Sequence, residues 1–153
     1  MMRVTEALSR EHQEVLRQLD LFEEAIEKSD VEGLRGTLRF FDERIVLHRR
    51  KEEEILFPVV GRHIGLEFGP VAHMLEEHRI EKQRIEEIRE ALTRWPDPHA
   101  REVIRAAGYA ILDLLRAHIM KEDSILFPMS EEVMSPEEKL DVLKGFESIG
   151  FCY

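Results

Sequence analysis

Four histidines, His12, His48, His78 and His118, stand at positions where helical spacing calls for an apolar side chain. Two of them are followed four residues later by a glutamate, Glu52 after His48 and Glu122 after His118. In an α-helix residues i and i+4 are neighbours, with Cβ atoms about 5–6 Å apart, so each pair aims an imidazole and a carboxylate at one point. His12 and His78 add one imidazole each from two further segments. An ionised carboxylate in a dry core costs several kcal/mol unless something compensates it. A cation removes that cost, because neutral imidazoles ligate it and its charge balances the glutamates. Six such groups could serve one octahedral ion. Two carboxylates set between histidines on opposite helices are better suited to bridging two ions, which in dinuclear sites lie roughly 3.5–4 Å apart. Imidazole with carboxylate suits iron, with manganese and zinc as competitors. No cysteine lies near the pattern, so an iron–sulfur cluster is excluded there.

Four amphipathic stretches must position these residues. Leu8, His12, Val15, Leu19, Phe22 and Ile26 step by three and four, and so do Leu34, Leu38, Phe41, Ile45, His48, Glu52 and Ile55. Val71, Met74, His78, Ile85, Ile88 and Leu92 share a third face, with Lys82 covering its seam. Ile104, Ala107, Ile111, Leu114, His118, Glu122 and Ile125 form the fourth. The breaks are "KSDVEG", with Ser29 or Asp30 as N-cap, "FPVVGRHIGLEFGP", "RWPDPHA" and "LFPMSEEVMSPEEK". A fifth amphipathic segment runs from about Pro136 to Ser148 and packs across one end or mediates a homodimer. The pattern predicts an all-α fold, an antiparallel up-down-up-down four-helix bundle with a short C-terminal fifth helix. The whole chain, 1–153, reads as one domain, with the bundle over about residues 4–128 and the last helix and tail over about 129–153.

The chain repeats itself. "HRRKEEEILFP" at 48–58 and "HIMKEDSILFP" at 118–128 share seven of eleven residues, against roughly one expected from composition. Each half also carries an "EH" pair, Glu11-His12 and Glu77-His78. A helix pair written twice predicts approximate two-fold symmetry. In the repeated "ILFP", Ile55 and Ile125 are expected to continue the seams, Phe57 and Phe127 to lid one end, and the prolines to stop or kink their helices. Phe41, Ile45, Ile111 and Leu114 are expected to wall the site.

These residues resemble the hemerythrin-like (HHE cation-binding) family over about residues 4 to 128. The likeness rests on the "EH" of the first helix, "HRRKEEEILFP", "GPVAHMLEEH" and "HIMKEDSILFP". It implies two iron ions bridged by two carboxylates and an oxo or hydroxo group, held by His12, His48, Glu52, His78, His118 and Glu122. It also implies binding or sensing of oxygen, nitric oxide or redox state, or iron handling and stress repair. Oxygen-carrying members have a further histidine one turn before the third-helix histidine, where this chain has Met74. His73 lies about 140° around the helix from His78. It is either a surface residue paired with Glu77 or a ligand reached through a π-type distortion. Asp123 has the spacing of the carriers' aspartate, but the repeat and the helical face favour Glu122. These departures leave an open coordination position or a water.

A net charge of −10 with acid and base interleaved excludes nucleic acid as a natural partner, because phosphate binding needs a basic surface. No stretch has the roughly 18 apolar residues of a membrane span, and the N-terminus has no apolar leader, so a cytoplasmic location is expected. The expected partner is a small diatomic ligand, oxygen or nitric oxide. Cys152 reads as an inert tail thiol, and His63 and His99 as surface residues in loops. Two other functions compete: an enzyme turning over peroxide or nitric oxide or donating iron, and a metal-stabilised interaction module.

Overall fold

The computed structural model describes residues 3–150, so Cys152 and the end of the tail lie outside the described residues. Among the described residues, five helical rods account for the fold. Helix α1 is Glu6–Glu27. Helix α2 runs unbroken over residues 31–64, α3 is Pro70–Leu92, α4 runs unbroken over residues 98–133, and α5 is Pro136–Ile149. Asp30 caps α2, its carboxylate accepting from the Gly33 amide at 3.1 Å. Pro70 and Pro98 stand in the first turns of α3 and α4, where a missing N–H costs nothing. Gly65, at φ 100°, ends α2 in a conformation that side chains resist. Ser135 and Glu138 close a capping box at the start of α5.

The rods pack into a helical bundle: α1 lies on α2 and α4, α3 lies on α4, and α5 lies against α2 beside its proline turn. A Cβ on Gly145 would come within 2.7 Å of Ile55, so α5 approaches that turn closely. No helix among the described residues is long and apolar enough to cross a membrane.

Two apolar clusters fill the interior. The larger one includes Val15, Leu19, Phe22, Phe41, Ile45, Ile88, Ile111 and Leu115. The smaller includes Leu8, Leu56, Phe57, Val71, Met74, Phe127 and Phe146. Each long helix contributes to both, and its histidine lies where one contribution gives way to the other, with Ile119 of the larger cluster directly after His118. The candidate site is therefore a polar layer between two apolar cores.

The prolines of the repeat neither stop α2 nor stop α4. Each is preceded by a π-helical segment, Lys51–Leu56 and Glu122–Leu126. In these segments the Phe57 amide donates to the Glu52 carbonyl and the Phe127 amide to the Glu122 carbonyl. The wider turn takes up one extra residue, and the helix continues beyond a residue that cannot donate. The extra residue also rotates the register. Ile125 turns outward, 55% exposed, and Ile55 is half-buried, while Leu56, Phe57, Leu126 and Phe127 face inward. The expectation that Ile125 continues its seam is thus corrected, whereas Ile55 packs half-buried against the smaller core. The placement of His63 in a loop is corrected too: it lies in the last turn of α2, bonded to Glu138 at 2.9 Å.

Phe22 is buried and meets Phe41 edge to face, ring centroids 6.4 Å apart. Phe22→Ala should cost about 3–5 kcal/mol in chemical denaturation. Because Phe22 belongs to the larger core and to neither group of converging side chains, the variant should keep its metal content per folded chain.

Candidate metal centre

Every imidazole of the polar layer is gripped from behind. His12 Nδ1 lies 2.9 Å from Asp123 Oδ1, and His78 Nδ1 lies 2.9 Å from Glu53 Oε2. His48 Nδ1 is 2.9 Å from Glu11 Oε1, and His118 Nδ1 is 2.9 Å from Glu77 Oε1. An ionised carboxylate only accepts, so each Nδ1 is the donor. In the neutral imidazole, Nε2 then carries a lone pair. All four Nε2 atoms turn toward Glu52 and Glu122.

There they form two groups, His12 with His48 and His78 with His118, each together with both glutamates. Within each group the donor atoms lie within 4.8 Å of one another, and all six residues are buried. Glu122 Oε1 is 3.1 Å from His12 Nε2 and 3.3 Å from His118 Nε2. Glu52 Oε1 is 3.2 Å from His78 Nε2 and 3.6 Å from His48 Nε2. Both glutamates are therefore shared between the two histidine pairs. All four of their oxygens are buried, and none makes a hydrogen bond of good geometry among the described residues. His12 Nε2 and His48 Nε2 face each other at 3.1 Å. Orphaned carboxylate oxygens are unfavourable alone, and cations seated among them and the imidazoles resolve this. The donor set fits metal ions on this ground.

The groups behind the imidazoles repeat with the sequence. Lys51 donates to Glu11, and Lys121 Nζ donates to Glu77 Oε2 at 2.8 Å. The glutamate of each "EH" pair thus orients the histidine on the partner helix of its own half, and the motif lysine neutralises it. Glu53 and Asp123 reach across to the other half. Phe127 stacks on His12 at 5.5 Å and Phe57 on His78 at 6.0 Å, so the expected lids lie flat against imidazoles. Sequence reading left these orienting groups unassigned, although Glu, Lys and the acid after the motif glutamate all recur in the repeat.

The two remaining candidates sit outside the converging set. Asp123 holds His12 from behind and also accepts from Ser9 Oγ at 2.8 Å. His73 is on the surface, its Nε2 2.9 Å from Lys121 Nζ and 3.4 Å from Glu77. In the position expected for Lys82 on the third seam the structure buries Glu81 instead, and Lys82 is exposed.

A cavity of about 20 Å³ abuts the four imidazoles on the side of the larger core. Val15, Ile45, Leu115 and Ile119 line it, with Arg49 and Glu81. Ile45 is in the expected wall; Leu115 takes the place expected of Leu114, which is half-buried. Met74 belongs to the smaller core on the opposite side.

The family model for the hemerythrin HHE cation-binding domain matches residues 3–130. The chain belongs to this family. Its relatives include the iron-sulfur cluster repair protein YtfE of Yersinia pseudotuberculosis serotype IB (strain PB1/+), 31% identical over 76% of this chain and 58% of that protein. The YtfE protein of Escherichia coli O81 (strain ED1a) is 32% identical over the same shares. This HHE domain thus spans just under three fifths of the relatives it matches. No solved structure matches it.

Before a metal enters, the HHE site holds protons. Burial lowers the pKa of His12, but its bonds to Asp123 and Glu122 outweigh burial and raise it from 6.5 to about 10. Burial likewise lowers His78, and Glu52 and Glu53 overcome it, again to about 10. Burial and then the charge of Glu122 push Glu52 up. Burial would also push Glu122 up, but Glu52, His118 and His12 hold it well below the ordinary range.

Two predictions follow from this charge state. Both imidazoles are protonated at pH 7, well below their raised pKa, so metal binding must displace protons and affinity must rise with pH toward 10. A metal titration in weakly buffered solution with an indicator dye should acidify the medium; no proton release would mean neutral imidazoles before binding. Glu11→Gln should lower metal affinity roughly 10–100-fold by loosening His48, as loss of such an orienting group does. Competition with a chelator of known affinity would read this.

Proposed function

We propose that this HHE domain is a non-heme di-iron protein whose helices alternate up and down around the centre. Glu52 and Glu122 bridge the two ions, His12 and His48 complete one, and His78 and His118 complete the other. The observation that carries the reading is the sharing of both buried glutamates between two histidine pairs. Bound iron would supply redox chemistry and an accessible position for a small ligand. The chain's own residues fix the imidazole tautomers, exclude bulk water and leave a small, largely apolar space beside the metals. That space suits a ligand of two or three atoms, oxygen or nitric oxide among them. Binding or sensing of such a ligand is the function the geometry favours. Manganese or zinc could occupy the same donors.

A second reading comes from the relatives, whose name describes repair of iron–sulfur clusters. In that role the same site would hand iron to a damaged cluster, and the raised pKa of His12 and His78 offers a route. Protons returning to these imidazoles would weaken the site and release the metal.

Metal analysis of protein loaded without oxygen should give two irons per chain, and both Glu52→Ala and Glu122→Ala should fall sharply below that. Full loading of both variants would defeat the bridging assignment. Nitric oxide or air should then change the optical spectrum. Stoichiometric, reversible change identifies a sensor or carrier, and turnover with a reductant identifies an enzyme. Transfer of iron to a cluster-depleted acceptor identifies repair. Metal that only raises the melting temperature, with no spectral response, leaves an interaction module.

A further inference from the structure

The two halves of the chain match closely at the centre but diverge at the cavity. Residue 49 follows His48 as residue 119 follows His118, and residue 81 follows His78 at the spacing by which residue 15 follows His12. On the α1–α4 side these positions are Val15 and Ile119, both buried and apolar. On the α2–α3 side they are Arg49 and Glu81, also buried, at 8% and 2% exposure. Their closest charged atoms, Arg49 Nε and Glu81 Oε1, are 3.7 Å apart, too far for a hydrogen bond. Neither atom has a hydrogen-bond partner among the described residues. Leaving such a donor unmade is costly in a protein interior. A second asymmetry lies one turn away: α2 carries a π-helical segment, Phe41–Ile45, immediately before His48, while α4 is regular α-helix at the matching place. Such segments tend to mark functional positions. Arg49 also lines a surface groove of about 280 Å³ between α2 and α3, and is the residue that the groove and the cavity share.

We propose that Arg49 receives small anions of two or three atoms in the cavity beside the metals, and that Glu81 restrains its charge, making this pair the specificity-determining element of the site. This rests on the metal reading above. A buried guanidinium N–H without an acceptor, on a residue that lines a space of this size, is a donor for a linear anion such as azide. Glu81 keeps the buried charge compensated until the anion arrives, and it opposes anions too weak to displace its attraction. The apolar wall opposite gives uncharged ligands no comparable preference.

The test uses the iron-loaded full chain, with iron content measured first. Azide is then titrated into the oxidised protein and its dissociation constant read from the ligand-induced visible band. Nitric oxide, which is uncharged, is titrated into the reduced protein as a control for pocket shape. Arg49→Met should weaken azide about tenfold or more, the scale of one charge-assisted hydrogen bond, while nitric oxide changes less than twofold. Glu81→Gln should tighten azide severalfold. Azide affinity unchanged in Arg49→Met, or equal losses for azide and nitric oxide, would overturn the proposal. Should Arg49→Met lose its iron, Glu81→Gln decides alone: tighter azide supports the role of Arg49, and unchanged or weaker azide removes it. A wild-type chain that takes up no iron overturns the metal reading, and this inference with it, before any anion is added.

Discussion

Everything in this protein is arranged around one electrostatic problem: two buried carboxylates and four imidazoles stacked between two apolar cores. Charge in that position is tolerated only if every group has a defined partner. The protein meets the demand in layers. Nδ1 of each histidine faces a carboxylate, three of those carboxylates face lysines, and the inward faces are left for cations. The apolar clusters above and below then keep water from dissolving the arrangement. Fold and site are in this sense one construction, because the helices that bury the cores are the ones that carry the donors.

The backbone adjusts to the same demand. A regular helix carrying Pro58 would lose a hydrogen bond and meet a steric clash one turn after Glu52. The π turn absorbs both and swings Phe57 onto His78. The same solution at Pro128 brings Phe127 onto His12. A feature that looks like a helix stop in the sequence is therefore a register shift that delivers an aromatic ring to the site.

Much of this was legible in the residues. The spacing of His12, His48, His78 and His118 on apolar seams, with Glu52 and Glu122 one turn on, picked out the six side chains that converge in two groups. The helical ends at Asp30, Pro70 and Pro98 were readable from capping chemistry. What escaped was governed by register and tertiary contact. Ile125 and Leu114 follow an ideal 3.6-residue period that a π turn or a small rotation overrides. Glu11, Glu77 and Lys51 look like ordinary charged helix residues, and only the partner helix shows that they point inward. Arg49 and Glu81 were invisible for the opposite reason: they break the repeat, and a search for likeness passes over differences.

The crossed wiring has a consequence for how such a molecule could have arisen. His12 depends on Asp123 and Glu122 from the far half, and His78 depends on Glu53 and Glu52 from the near one. A fragment ending in the loop after α2 would own two imidazoles and one glutamate, with half of its orienting acids missing. Two such fragments, placed face to face, would restore the full set. The repeat is what gene duplication and fusion of a self-pairing ancestor would leave behind, with each former subunit still unable to complete its set of donors alone.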